Sequence, residues 1–233
     1  MLRLIGLVLG LGILSACTDA VPRGGGDIVA IGDSVMAWNG SQNRSIPDAL
    51  SASLQRQVIS RAVPGAQFDN GSGLAGAVGF DVRRQMPGGQ WNWVLMNGGA
   101  NDLSSDCGCG ACGPVVDALI GPGADTGAIP AFIARVRAQS GARVMWMGYY
   151  AGPGGGSFQG CRKYLVEMET RIARFAAATP GVEFVDSEDV IDRRDPALFA
   201  SDNTHPSARA SALIGAYLAR EMTAREARSQ TGN

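Results

Sequence analysis

The sequence predicts an α/β domain of the three-layer α/β/α kind, a five-stranded parallel sheet with helices on both faces. Short apolar runs alternate along the chain with amphipathic helical patterns, which is the spacing of repeated strand–helix–strand units. Glycine-rich stretches at residues 71–79, 108–123 and 152–160 fall in or beside the connections that follow strands, where sites are built. The composition is that of an ordinary globular domain: 233 residues, 45% hydrophobic, 18% charged, formal net charge −1. Its 33 glycines and 11 prolines follow no fixed period, so collagen-like and low-complexity readings fail.

The chain opens with a short basic start and an uninterrupted run of Leu, Ile, Val and Gly over residues 4–14. A helix of that length rises only about 16 Å against a hydrocarbon core of about 30 Å, so residues 1–16 read as a secretory signal and not as a permanent span. Leu14-Ser15-Ala16-Cys17 resembles the lipobox of bacterial lipoproteins. That resemblance implies cleavage before Cys17, lipid on Cys17 and a bilayer as partner, with residues 17–26 as a lipidated tether. Thr18 stands where an aspartate would favour inner-membrane retention. The expectation is therefore an exported, periplasmic-side protein, with an outer-membrane anchor favoured; the alternatives are an ordinary signal peptide cut near Ala16 or Ala20 and a buried hydrophobic start.

Residues 27–31 form the first strand, an apolar run ended by Gly32. Residues 45–55 form a helix with Ser45 as cap, an early Pro47 and Asp48, and apolar Ile46, Leu50 and Leu54 on one side. Further strands are expected at 58–63, 93–96, 143–147 and 182–185, and further helices at 129–139, 161–178 and 207–225. No repeat or second domain is visible. The folded unit spans 27–225, and residues 226–233 are expected to fray. Basic and acidic residues number 20 and 21 with no basic block, so nucleic acid is not an expected partner.

Gly32-Asp33-Ser34-Val35 follows the first strand directly, which places Ser34 at the sheet's carboxyl edge. The only histidine, His205, lies three residues after Asp202 and just ahead of a helix. A serine hydroxyl is a poor nucleophile until an imidazole takes its proton and a third group orients that imidazole. Ser34, His205 and Asp202 supply those three types. Two turns reach the same edge, one at Gly65 after the second strand and one at Gly98-Gly99-Ala100-Asn101-Asp102 after the third. The Ser34 and Gly65 N–H groups and the Asn101 side chain are candidate oxyanion donors. Asp102 is assigned a structural role, accepting backbone N–H bonds within its turn. Each feature alone is an ordinary cap or turn; their order along one chain is what points to chemistry.

Gly-Asp-Ser, a lone Gly, Gly-x-Asn-Asp and Asp-x-x-His, in that order, resemble the landmarks of the SGNH hydrolases, also called GDSL esterases and lipases. The resemblance extends from residue 27 to about residue 212. It implies a flavodoxin-like fold, an SGNH-type hydrolase domain over 27–225, Ser34 as nucleophile, His205 as base oriented by Asp202, and Ser34, Gly65 and Asn101 as the oxyanion hole. It also implies no metal and no organic cofactor. Val35 replaces the usual leucine, Trp38 is bulkier than the residues common there, and the turn before Gly65 lacks the usual asparagine. Trp38 is expected to narrow the acyl side, and Tyr149 and Tyr150, at the end of the fourth strand, to face substrate.

Cys107, Cys109, Cys112 and Cys161 remain beyond Cys17, an even number that fits disulfides in an exported chain better than zinc. Their pairing is left open; a bridge from the cluster to Cys161 would clip two rim loops together. The function expected is hydrolysis of a small or medium acyl ester through an acyl-enzyme, the substrate a small molecule or glycan, with activity falling below roughly pH 6 to 7 as the imidazole base protonates. An acyltransferase using the same triad and a non-catalytic ligand-binding lipoprotein are the alternatives. A nucleotide-binding module is weaker, because Asp33 stands where phosphate would sit.

Overall fold

The computed structural model describes residues 25–231. The signal segment, Cys17 and the tether as far as residue 24 lie outside the described residues. β1 (Gly25–Ile31) begins two residues inside the segment read as tether, and its Ile28, Val29, Ala30 and Ile31 are fully buried. Ser45 caps α2 (Ile46–Leu54): its hydroxyl accepts from Asp48 N–H while the Asp48 carboxylate accepts from Ser45 N–H at 2.8 Å. β2 (Val58–Ser60), β3 (Gln90–Met96), β4 (Arg143–Met147) and β5 (Val182–Val185) complete a sheet of order β2-β1-β3-β4-β5, every pair parallel. The register sets Ile28 beside Val58 and Trp93, and Trp93 beside Arg143.

The chain leaves β1 through α2 towards β2. It then returns past β1 to β3 and continues through α6 (Ala128–Ser140) and α7 (Arg162–Ala178) to β4 and β5. Crossovers in a parallel sheet are right-handed, so this reversal of direction puts helices on opposite faces. α2 packs with α8 (Ala208–Thr231) on one face, so closely that a Cβ on Gly215 would lie 2.5 Å from Ala49 Cβ. On the other face α6 and α7 pack with α5 (Gly113–Leu119). The reversal also opens a crevice beyond the carboxyl ends of β1 and β3, where ligands bind in sheets of this order.

Of the tail 226–233 expected to fray, residues 226–231 continue α8 and the last two lie outside the described residues; Glu226 accepts from Arg56 at 2.8 Å and from Trp93 Nε1 at 2.7 Å, while Arg56 also holds Asp27 at 2.6 Å. Glu226 lies 170 residues from Arg56 and 133 from Trp93, so no local pattern announces these bonds. The glycine-rich connections carry helices of their own. They contain α3 (Gly73–Ala77) and, after α4 (Ala100–Cys107), the helix α5, whose first turn carries Pro114. No described helix is long and apolar enough to cross a membrane.

Glu169 on α7 is buried and accepts the Tyr149 backbone N–H at the end of β4. Burial pushes its carboxyl up to about 8 from 4.5, against the help of that N–H. Below the unfolded value both states hold the proton and Glu169 contributes nothing. As pH rises between those two values the unfolded chain releases a proton that the fold retains, so stability falls, by a few kcal/mol at most on linkage grounds. Glu169→Gln keeps the acceptor and removes the titration. Thermal unfolding should show the variant gaining on wild type from pH 5 to pH 9, and a gap independent of pH would contradict the account.

Candidate active site

Gly32 ends β1 with no room for a side chain, since a Cβ there would lie 1.8 Å from Asn97 Oδ1. Gln85 grips the same residue from below, accepting Gly32 N–H at 2.7 Å and donating to Gly32 O at 2.9 Å. Asp33 then caps α1 (Ser34–Ala37), its Oδ1 accepting from Val35 N–H at 3.0 Å. The same oxygen accepts from Asn97 Nδ2 at 2.9 Å, and Asp33 N–H donates to Asn97 Oδ1 at 3.2 Å. Oδ2 accepts from the Tyr149 hydroxyl at 2.5 Å. Burial pushes the Asp33 carboxyl above its ordinary value, with the Tyr149, Asn97 and Val35 donors opposing it. Ser34 therefore stands on a turn fixed from the ends of β1, β3 and β4.

His205 arrives from the other end of the chain. Its Nε2 lies 2.8 Å from Ser34 Oγ, and its Nδ1 lies 2.5 Å from Asp202 Oδ2. The other Asp202 oxygen accepts the backbone N–H groups of Thr204 at 2.9 Å and His205 at 3.0 Å. Burial raises the Asp202 pKa, but the His205 N–H, the imidazole and the Thr204 N–H outweigh it and hold the carboxyl below its ordinary value. An ionised Asp202 keeps Nδ1 protonated and leaves Nε2 as acceptor for the serine proton. Asn39 Nδ2 fastens the loop to the nucleophile side, donating to Pro206 O at 3.0 Å and Ser211 Oγ at 3.2 Å.

The Asn101 side chain shares the pocket wall with Ser34 and donates one amide hydrogen to Ala66 O at 2.9 Å, which leaves the other for a ligand. Asp102 accepts Phe68 N–H at 2.7 Å and Asp69 N–H at 2.9 Å and so ties the Gly65 turn to α4, a structural role played on a loop 33 and 34 residues away and not within its own turn. Burial lifts its carboxyl to about 6 against those two donors. Gly65 itself adopts φ +80°, which favours glycine, and stands exposed beside Ala66; it does not line the Ser34 pocket.

The three aromatic candidates part company. Trp38 leaves α1 in an extended conformation and stacks on the His205 ring, centroids 3.8 Å apart and planes 7° from parallel, so it backs the base and is absent from the pocket lining. Tyr149 lines the pocket, with its hydroxyl already engaged by Asp33, a lining residue of the same pocket. Tyr150 lines it too, its hydroxyl donating to Thr204 O at 3.1 Å. Asn97, Gln85 and Asn39 escaped the sequence reading. An asparagine between a buried strand and Gly98-Gly99 was the available signal for the first; the other two had none.

The pocket beside Ser34 is small, about 50 Å3, with Val35, Leu165 and Phe158 among its apolar lining. A groove of about 560 Å3 opens off it, sharing Tyr150, Phe158, Leu165 and Thr204. The cysteines pair as Cys107–Cys112 and Cys109–Cys161. The second bridge joins the loop after α4 to the segment just ahead of α7, next to Phe158, so two rim loops are clipped together. Among the described residues no group of His, Cys, Asp and Glu is arranged to hold a metal.

Residues 30–213 match the model of the GDSL-like lipase/acylhydrolase family. No curated protein matches the chain. Among solved structures, a carbohydrate acetylesterase from Sinorhizobium meliloti is similar at 17% identity and TM-score 0.54, the match covering 85% of this chain and 98% of that one. A family two carbohydrate esterase from Clostridium thermocellum, solved in complex with cellohexaose, is similar at 19% identity and TM-score 0.57, covering 86% of this chain and 64% of that one. At these identities the structural likeness shows a shared fold.

The stacking of Trp38 on the imidazole has a measurable consequence. Trp38→Ala frees the ring to rotate away from Ser34 Oγ and should slow labelling of Ser34 by a fluorophosphonate about tenfold, a loss of roughly 1.4 kcal/mol in the transition state. Trp38→Phe, which can still stack, should keep most of the rate. Equal labelling of all three proteins would show that the indole does not position the base.

Proposed function

The chain belongs to the GDSL-like lipase/acylhydrolase family, and from that premise we propose that it is an exported, lipid-anchored serine esterase that removes short acyl groups from bulkier alcohols. The observation that carries the chemistry is the continuous relay from Ser34 Oγ through His205 to Asp202, at 2.8 and 2.5 Å. Ser34 attacks the acyl carbonyl as His205 Nε2 takes its proton. The oxyanion that forms is met by the free Asn101 amide hydrogen and by the Ser34 N–H at the open end of α1. As the tetrahedral intermediate collapses, His205 returns the proton to the leaving alcohol. Water then repeats the sequence on the acyl-enzyme and frees the acid.

Pocket size divides the substrate. About 50 Å3 beside Ser34 suits an acetyl group or little more, while the larger groove is lined by Asn203 and Thr204, the residues that lead into His205. The alcohol must lie on the side of the imidazole that protonates it, so the groove is the alcohol side. The two carbohydrate esterases of like fold support a sugar alcohol as leaving group. Export rests on the apolar start and anchoring on Cys17; palmitate incorporated by wild type and not by Cys17→Ala would support the anchor, and labelling of neither would refute it.

Hydrolysis of p-nitrophenyl esters tests the chemistry. Acetate should be preferred over every longer chain up to laurate. Ser34→Ala should lower kcat by roughly four or more orders of magnitude, and Asn101→Ala by about 10² to 10³ with little change in KM. Wild-type and Ser34→Ala proteins of equal activity would overturn the nucleophile assignment, and a laurate optimum would overturn the short acyl pocket.

A further inference from the structure

The groove off the catalytic pocket carries charge of one sign. Arg162, Arg193 and Arg194 line it and no aspartate or glutamate does, in a chain whose acidic residues outnumber its basic ones. Arg162 is paired with Glu188 at 2.6 Å and Arg194 with Asp192 at 2.9 Å. Arg193 has no hydrogen bond or ion pair among the described residues. It shares the field of Asp192, whose carboxylate already accepts three bonds from Arg194. Arg193, exposed and without a hydrogen bond or ion pair of its own among the described residues, thus lines a concave surface walled in part by Phe158 and Leu165, where a charge acts more strongly than on open surface.

The groove is built and not incidental. The loop carrying Gly152 and Gly156 packs so tightly on Asn203 that a Cβ on either glycine would lie 2.5 to 2.7 Å from an atom of Asn203 or Thr204. Gln159 Oε1 is occupied by Gly155 N–H at 2.8 Å, which turns the amide's donors to other use, and the Asn203 side chain has no partner among the described residues. Amide donors suit hydroxyls, and an unpaired guanidinium suits a carboxylate or phosphate, which it meets with two parallel N–H bonds.

We propose that this groove is an alcohol-side subsite that selects esters whose alcohol bears an anionic group, with Arg193 binding the anion and Gln159 and Asn203 meeting neighbouring hydroxyls. The inference rests on the ester-hydrolase reading above. It assigns Arg193 to specificity and leaves the bond-breaking steps to the relay.

Two matched pairs of acetyl esters test it with the full chain at low salt: O-acetylated methyl glucuronoside against O-acetylated methyl glucoside, and 1-acetylglycerol 3-phosphate against 1-acetylglycerol. Wild type should favour the anionic member by about tenfold in kcat/KM. That ratio should fall to near one in Arg193→Gln and below one in Arg193→Glu, and shrink as salt is added. A response confined to the first pair identifies a sugar acid as the source of the anion, and one confined to the second an alcohol phosphate. A wild-type ratio near one in both pairs, or an unchanged ratio in both variants, overturns the subsite. Hydrolysis of p-nitrophenyl acetate with none of the four esters cleaved also overturns the subsite alone; no hydrolysis of p-nitrophenyl acetate either overturns the esterase reading beneath it.

Discussion

Asp33 is buried at the carboxyl end of β1, where its carboxyl has lost water and is held by donors from three directions: Val35 N–H in its own turn, Asn97 at the end of β3 and Tyr149 beyond β4. An unpaired carboxylate there would cost several kcal/mol, so the arrangement is stable only when those strand ends are correctly placed. Correct pairing of β1, β3 and β4 is thus a condition for burying Asp33, and Ser34, its neighbour in sequence, inherits that precision. Gly32 completes the constraint from behind, because only the absence of a Cβ lets Asn97 approach closely enough to bond on both sides.

The rest of the site is arranged around that fixed turn. Asp102 pins the Gly65 segment against α4, and Glu169 pins Tyr149 from α7, so two more buried carboxyls do for the neighbouring loops what Asp33 does for the nucleophile. The rim is held covalently. Chain-entropy arguments give about 4 kcal/mol for closing the 52-residue loop between Cys109 and Cys161 and about 2 kcal/mol for the short Cys107–Cys112 loop. The long bridge is the one that links separate rim segments. It supplies rigidity to a wall that glycine-rich sequence would otherwise leave loose.

What the sequence made legible follows the range of the interactions. The strands at 143–147 and 182–185 match the structure residue for residue because each is a short apolar run with clear ends. Ser45 and Asp48 announced α2 because a capping box is local. Ser34, Asp202, His205 and Asn101 were found through their order along the chain, and the structure brings all four to one place. Gln85, Asn39 and Glu226 were not found, because each acts through partners 53 to 172 residues away and no spacing encodes such a contact. Trp38 was identified as important but given the wrong face. The direction in which the chain leaves a one-turn helix depends on what the indole packs against, and that is His205, 167 residues further on.

The two halves of the relay are therefore secured by different physics. Asp202, Thr204 and His205 form a turn whose backbone N–H groups bond to the carboxylate that also holds the imidazole, so the base carries its own orienting group within four residues. Such a unit tolerates the exposure of Asp202, because orientation comes from three hydrogen bonds at short range and not from burial. Ser34 has no such local support and depends on the buried network beneath it. The distance between the halves is then set where Asn39 and Trp38, just downstream of the nucleophile, grip the histidine loop. Loops outside this frame, among them the segment carrying Arg193 and Arg194, can change in sequence without moving a catalytic atom, which is how one scaffold can serve different alcohols.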